Sequence, residues 1–233
     1  GEDETLGTIV NSLSVIVGSL LGLFLKNGIK TKYQTTIIDG VSLALIVIGL
    51  LGAIESQNIV LVVISLALGG LIGEAIDIEA RLDRLGQRAQ SILRQGDSNF
   101  AKAFINGTLV FCIGSMAIVG SLESGLTGNH QILFAKSTLD GIFSIIFTST
   151  LGIGNIFSAI SIFVYQGGIT LLAKYVKDIL TPELITEMTA VGGILIMALG
   201  FNQLEIKKIR VSNLLPSIII PVIYFLVLNW AKK

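Results

Sequence analysis

Eight apolar stretches, several of them near the ~20 residues that carry a helix across a hydrocarbon core, alternate along the chain with short polar breaks. They run at about 6–25, 35–54, 59–76, 104–122, 137–151, 155–175, 183–201 and 214–230. Between the third and fourth the pattern changes. Ile78, Leu82, Leu85, Ala89 and Ile92 recur every three or four residues, the stripe of an amphipathic helix. Arg81, Arg84, Arg88 and Arg94 interleave with Asp77, Glu79 and Asp83 on its other faces, so this segment is expected to lie at the membrane surface or under the bundle.

Local signals sharpen the boundaries. Thr181-Pro182-Glu183 offers a capping hydroxyl, a first-turn proline and an acid on the positive end of the helix dipole, and so opens the seventh span. Pro216 and Pro221 are tolerable in a membrane helix and predict a bend in the eighth, which ends on the interfacial aromatics Tyr224 and Trp230. Gly152-Ile153-Gly154-Asn155 predicts a broken helix or a hairpin between the fifth and sixth spans. Residues 137–176 read either as two full spans or as a re-entrant pair.

Composition agrees with the pattern. Hydrophobic residues make up 52% of the chain and charged ones 14%, against about 25% charged in soluble domains. With a mean hydropathy of +0.82, the solvent that suits most of this surface is lipid. The fold expected is an all-α polytopic membrane bundle. A net charge of zero provides no field to hold nucleic acid. Cys112 and His130, each the sole residue of its type, exclude a disulfide framework and a multi-histidine metal site. The start, residues 1–5, is acidic, so the first apolar run reads as a retained span and not as a cleaved signal peptide.

Basic residues set the orientation. With the N-terminus outside, the inner segments hold Lys26, Lys30, Lys32, Arg81, Arg84, Arg88, Arg94, Lys102, Lys207, Lys208 and Arg210, eleven in all. The outer segments hold five, namely Lys136, Lys174, Lys177, Lys232 and Lys233. The bias favours N-out.

The halves of the chain also resemble each other. Gly7-Thr8-Ile9-Val10 returns as Gly107-Thr108-Leu109-Val110, and Ile16-Val17-Gly18-Ser19-Leu20 returns identically at 118–122. Asp39-Gly40 is matched by Asp140-Gly141, and Asn58 followed by Gly69-Gly70 by Asn155 followed by Gly167-Gly168. The order is kept at an offset of about one hundred residues. A unit of three spans is odd, so its second copy enters from the opposite side, which predicts two inverted repeats around a midplane site. The segments expected are 6–76 and 104–176 for the repeats, 77–99 for the cytoplasmic amphipathic helix, and 181–230 for a terminal hairpin.

Polar groups at depth are the candidate chemistry. A central membrane carboxylate costs about 2.5–3.5 kcal/mol on insertion scales and usually faces a partner or a cavity. Asp39 and Asp140 are candidate cation- or proton-binding acids, with Asn11, Asn106, Asn155 and Gln166 as polar lining. The plainer alternative makes each acid a helix cap and the amides interhelical glue. Glu74 is expected to pair with Arg81. No nucleophile–base set, phosphate loop or metal motif is visible, so no enzyme activity, cofactor or metal is expected.

Gly7 to Asn11, Asp39-Gly40, Leu139-Asp140-Gly141, Gly152-Ile153-Gly154, Tyr165-Gln166-Gly167 and Asn213-Leu214-Leu215-Pro216 together resemble the YdfK/YqgA-like group of bacterial inner-membrane proteins. The resemblance covers nearly the whole chain. It implies a bacterial cytoplasmic membrane and a membrane or transport role, and it transfers no site residue. The function expected is secondary transport of a small solute or ion, coupled to H+ or Na+. A channel and a scaffold acting through the Arg81–Arg94 helix are the alternatives. The partners expected are the bilayer, that solute and a second copy of the chain.

Overall fold

The computed structural model describes residues 4–26, 28, 30–93 and 100–231. Every regular element in it is helical: α1 (Leu6–Lys26), α2 (Thr31–Ala53), α3 (Ile59–Ile76), α4 (Ile78–Leu93), α5 (Phe100–Cys112), α6 (Ser115–Thr127), α7 (Gln131–Leu151), α8 (Ser158–Leu171), α9 (Ala173–Val176), α10 (Pro182–Gln203) and α11 (Ile220–Ala231). Two 3-10 segments, Ile153–Phe157 and Val211–Ile218, lead into α8 and α11. Among the described residues, seven helical stretches are long and apolar enough to cross a membrane, with α5 and α6 together offering an eighth.

Several boundaries follow from capping. Thr181 accepts a hydrogen bond from the Leu184 amide and Pro182 sits in the first turn of α10, as expected. Asn58 does the same for α3 through the Leu61 amide. The third span, α3, has the limits the apolar pattern gives.

Two of the differences from the apolar pattern have a clear local cause. The fourth span is not one straight helix, because Gly114 (φ 119°) turns the chain and α5 meets α6 at 61°. The fifth starts at Gln131, six residues earlier than the apolar run suggests, because Lys136 lies inside the helix. The expected break is present: Gly152, at φ 104°, ends α7 and the chain passes through the 3-10 turn before α8 begins. The amphipathic segment forms α4, and Arg94 lies outside the described residues.

The chain divides into two compact units, and these cut across the sequence repeat. One combines Gly1–Ile38 with Asp83–Lys174, the other Asp39–Leu82 with Tyr175–Lys233. In the first, α1 and α7 run parallel, since Gly7 faces Leu133, Gly18 faces Gly141 and Ser144, and Gly22 faces Ile145 and Thr148. A side chain at Gly18 would strike the Gly141 carbonyl, so the two backbones are in contact there. Helix α8 runs the other way, placing Gln166 beside Asn11 and Asn155 beside Ser19. The bent pair α5–α6 follows α8 in one direction throughout. Thr108 meets Ser161, Thr170 meets the Ser121 carbonyl, and Gly125 meets Ala173. A re-entrant hairpin would turn back, so α5–α6 is one broken span, opposite in direction to α1.

In the second unit α10 is deeply enclosed, with 78% of its apolar stretch buried against 17% for α2. Gly49 and Gly193 bring α2 and α10 to backbone contact. Gly69 and Gly73 do the same for α3 and the 3-10 turn carrying Asn213 and Ser217. Glu187 of α10, buried, accepts from the Ser56 hydroxyl (2.7 Å) and the backbone amides of Gln57 (2.8 Å) and Asn58 (3.0 Å), fixing the α2–α3 turn. The expected Glu74–Arg81 pair is not formed. Arg210 instead bridges Glu74 and Asp77, while Arg81 donates to the Ile76 carbonyl, because the chain before the 3-10 turn returns directly beneath α3.

Glycine is therefore a packing requirement at particular positions. Gly73→Ala places a methyl group against the Asn213 backbone and is expected to destabilise by about 1–3 kcal/mol. Gly40→Ala, with nothing within 4 Å of the new carbon, is expected to change stability by less than about 0.5 kcal/mol or to raise it. Thermal unfolding of the two variants in the same detergent checks the contrast.

Candidate functional site

Helix α7 is 21 residues long, and Asp140 lies nine residues from its start, about 14 Å along the axis and near its middle. An i, i+4 spacing puts Lys136 on the same face one turn earlier. Its ammonium reaches Asp140 Oδ1 at 2.9 Å, and the side chains are only 8% and 5% exposed. Both charges are thus enclosed in an otherwise uncharged helix. A pair so placed persists only when its remaining hydrogen-bonding capacity is also met.

Part of that capacity is met from α1 and α8. Asn11 Nδ2 donates to Asp140 Oδ2 at 3.0 Å and to Gln166 Oε1 at 3.2 Å. Asn11 shares the buried face of α1 with Thr8, Val15, Gly18 and Ser19. The close approach of Gly18 to Gly141 lets the short asparagine side chain reach across. Gln166 and Asn11 are fully buried, yet Asn11 Oδ1 and Gln166 Nε2 have no hydrogen-bond partner among the described residues. The Thr8 hydroxyl, one turn from Asn11 and beside Gly167, is likewise unmatched.

A second polar cluster lies further along α1. Asn155, in the turn before α8, donates through Nδ2 to Ser19 Oγ and Thr148 Oγ1, both at 3.1 Å. Only glycine at 107 leaves space for its carbonyl oxygen. Asn106 is buried on α5 with Nδ2 unmatched. Asp39 belongs to the other unit and is exposed on α2, so it enters neither cluster.

The structure thus gathers Asp140, Asn11 and Gln166, sets Asn155 in an adjoining network, and leaves Asp39 at a surface. Lys136 is the residue that sequence reasoning missed. Counted as an outer flanking cation, it is instead the partner of Asp140. The spacing Lys136-x-x-x-Asp140, preceded by the apolar run Ile132-Leu133-Phe134-Ala135, is the signal that identifies it. His130 has an ordinary place, sharing a hydrogen bond with Ser124 at 2.8 Å near the start of α7.

Chemically, the cluster has one fixed positive group, one fixed negative group, an unmatched acceptor and an unmatched donor. A family model described as a protein of unknown function, DUF554, matches residues 6–226. The chain is 38% identical over 228 residues to the uncharacterized membrane protein YdfK of Bacillus subtilis (strain 168), covering 96% of each. It is 28% identical over 220 residues to the uncharacterized protein YqgA of Escherichia coli (strain K12), covering 92% of this chain and 94% of that one. No solved structure matches the chain.

Removing one member of the pair leaves the other charged and buried. Lys136→Met or Asp140→Asn alone is expected to cost about 3–5 kcal/mol. The double variant should recover about 0.5–3 kcal/mol of the summed losses. Equilibrium unfolding in detergent measures the cycle, and strictly additive losses would show that the two charges do not interact.

Proposed function

The chain belongs to the DUF554 family, a membrane-protein family of unknown function, and from that premise we propose that it is a secondary transporter of a small solute or ion. The observation that carries this reading is the enclosed Lys136–Asp140 pair on α7, with Asn11 and Gln166 closing over it. Ionisable groups in the membrane interior are costly, and their recurrent use is in ion and solute pathways. A structural role alone would favour full satisfaction, and here an amide oxygen and an amide nitrogen are unmatched beside the charges.

Two further features support it. The span broken at Gly114, where α5 meets α6 at 61°, resembles the discontinuous helices that transporters commonly place around a binding site. The matched segments at Gly7 and Gly107 lie on helices of opposite direction, as an inverted repeat requires of its first spans. The repeat as a whole, with the alternating access it allows, belongs to this proposal. Transport rests on the Lys136–Asp140 pair as the site and on Asn11 and Gln166 as its lining, not on Asp39.

The membrane is the bacterial cytoplasmic one in this reading, with the N-terminus outside. Moving Lys136 from an outer flank into a span leaves four outer basic residues against eleven inner ones, which strengthens the bias.

Reconstitution into proteoliposomes tests the reading. Flux driven by a proton or sodium gradient is expected to saturate with solute concentration, and Asp140→Asn is expected to abolish the gradient response while Asp39→Asn leaves most of it. Unitary currents, or a gradient response unchanged in Asp140→Asn, would contradict it.

A further inference from the structure

We propose that the Lys136–Asp140 cluster binds a small zwitterion of the α-amino acid class, its ammonium taken by Asp140 and Asn11 Oδ1 and its carboxylate by Lys136 and Gln166 Nε2. The inference rests on the transport reading above and gives its substrate a chemistry.

The orientation of the two amides is dictated by charge. Asp140, paired with Lys136, presents Oδ2 as an acceptor to α1, so Asn11 must turn Nδ2 toward it. That same nitrogen then requires an acceptor from α8, so Gln166 must turn Oε1 inward. Rotating Asn11 would set its oxygen against the carboxylate, and rotating Gln166 would set nitrogen against nitrogen. With both amides fixed, Asn11 Oδ1 and Gln166 Nε2 point away from the contacts already made, each buried and unmatched. The cluster therefore offers an acceptor on the side of the negative group and a donor beyond it, together with one charge of each sign.

The charge count selects the ligand. A cation on Asp140 would displace the Lys136 ammonium and strand it in the interior, and an anion on Lys136 would strand Asp140. A zwitterion entering between the two leaves each charge compensated and adds none to the membrane interior. It also supplies the N–H that Asn11 Oδ1 lacks and the oxygen that Gln166 Nε2 lacks. Close contacts of α1 with α7 flank the cluster, through Gly7 at the Leu133 side chain on one side and Gly18 at the Gly141 carbonyl on the other.

The test uses the full chain, purified in detergent and also reconstituted. Thermal unfolding of the wild-type protein is followed against glycine, L-alanine and L-serine, with methylamine and acetate as probes carrying one charge each. At least one amino acid is expected to raise Tm saturably, while methylamine and acetate, singly or mixed, fail to do so at about tenfold higher concentration. In proteoliposomes, the same labelled amino acid should exchange across the membrane. Gln166→Leu, which keeps the ion pair, should lose about tenfold or more in apparent affinity with its unfolding temperature in the absence of ligand within a few degrees of wild type. Stabilisation by methylamine or acetate equal to that by the amino acids would overturn the inference. So would exchange unaffected by Gln166→Leu. Gradient-driven flux of 22Na+ or protons that needs Asp140, with no amino-acid binding, would overturn the zwitterion and leave the transport reading standing. Absence of any saturable flux would remove both.

Discussion

Two opposite charges held away from water in a lipid-facing molecule constrain everything around them. A lone carboxylate or ammonium near the middle of α7 would be driven to a surface or neutralised. As an i, i+4 pair, Lys136 and Asp140 compensate one another, provided the surrounding helices close over them and supply the missing hydrogen bonds. Asn11 and Gln166 are the residues that do so, one from α1 and one from α8. The three-helix arrangement of the first unit is what brings those amides within reach.

Close approach is achieved by omission of side chains. Lipid provides no hydrophobic drive for one helix to leave it for another, so association relies on dispersion contacts and hydrogen bonds over short distances. Gly18 against Gly141, Gly107 against Asn155, Gly49 against Gly193 and Gly73 against Asn213 are each places where a methyl group would collide with backbone or a buried amide. The polar contacts sit beside these points: Ser14 reaches the Ser137 carbonyl at 2.6 Å next to the Gly18 seam, and Asn213 reaches Glu74 at 2.7 Å beside Gly73. Tight packing and polar chemistry in this protein occupy the same positions, since only where backbones nearly touch can a short serine or asparagine bridge two helices.

The sequence revealed the all-helical membrane architecture, most of the spans, the caps at Thr181 and the break at Gly152, because each depends on local composition or on a residue with a fixed backbone preference. It revealed Asn11, Asp140 and Gln166 as polar groups in apolar runs. It did not reveal Lys136, because a lysine beside an apolar stretch reads as its flank, and only the three-dimensional enclosure shows otherwise. The bend at Gly114 was hidden because a glycine in a membrane helix is common and does not by itself announce a positive φ. The bridging of Glu74 by Arg210 was hidden for a different reason: the partners are 136 residues apart, and a nearer arginine was available. Asp39 shows the limit of matching by repeat. The same Asp-Gly pair is buried on α7 and exposed on α2, since burial depends on what packs against the helix and not on the dipeptide.

The account depends on Lys136 and Asp140 being in direct contact inside the bilayer. Solid-state NMR on protein in lipid, with 15N in the lysine side chains, 13C in the aspartate carboxyls and Lys136→Met as the assignment control, measures that contact. Strong dipolar dephasing of one carboxyl signal, at the shift of an ionised group and absent in the variant, is the result the account requires. A carboxyl signal for residue 140 that shows no coupling to any lysine nitrogen would contradict it.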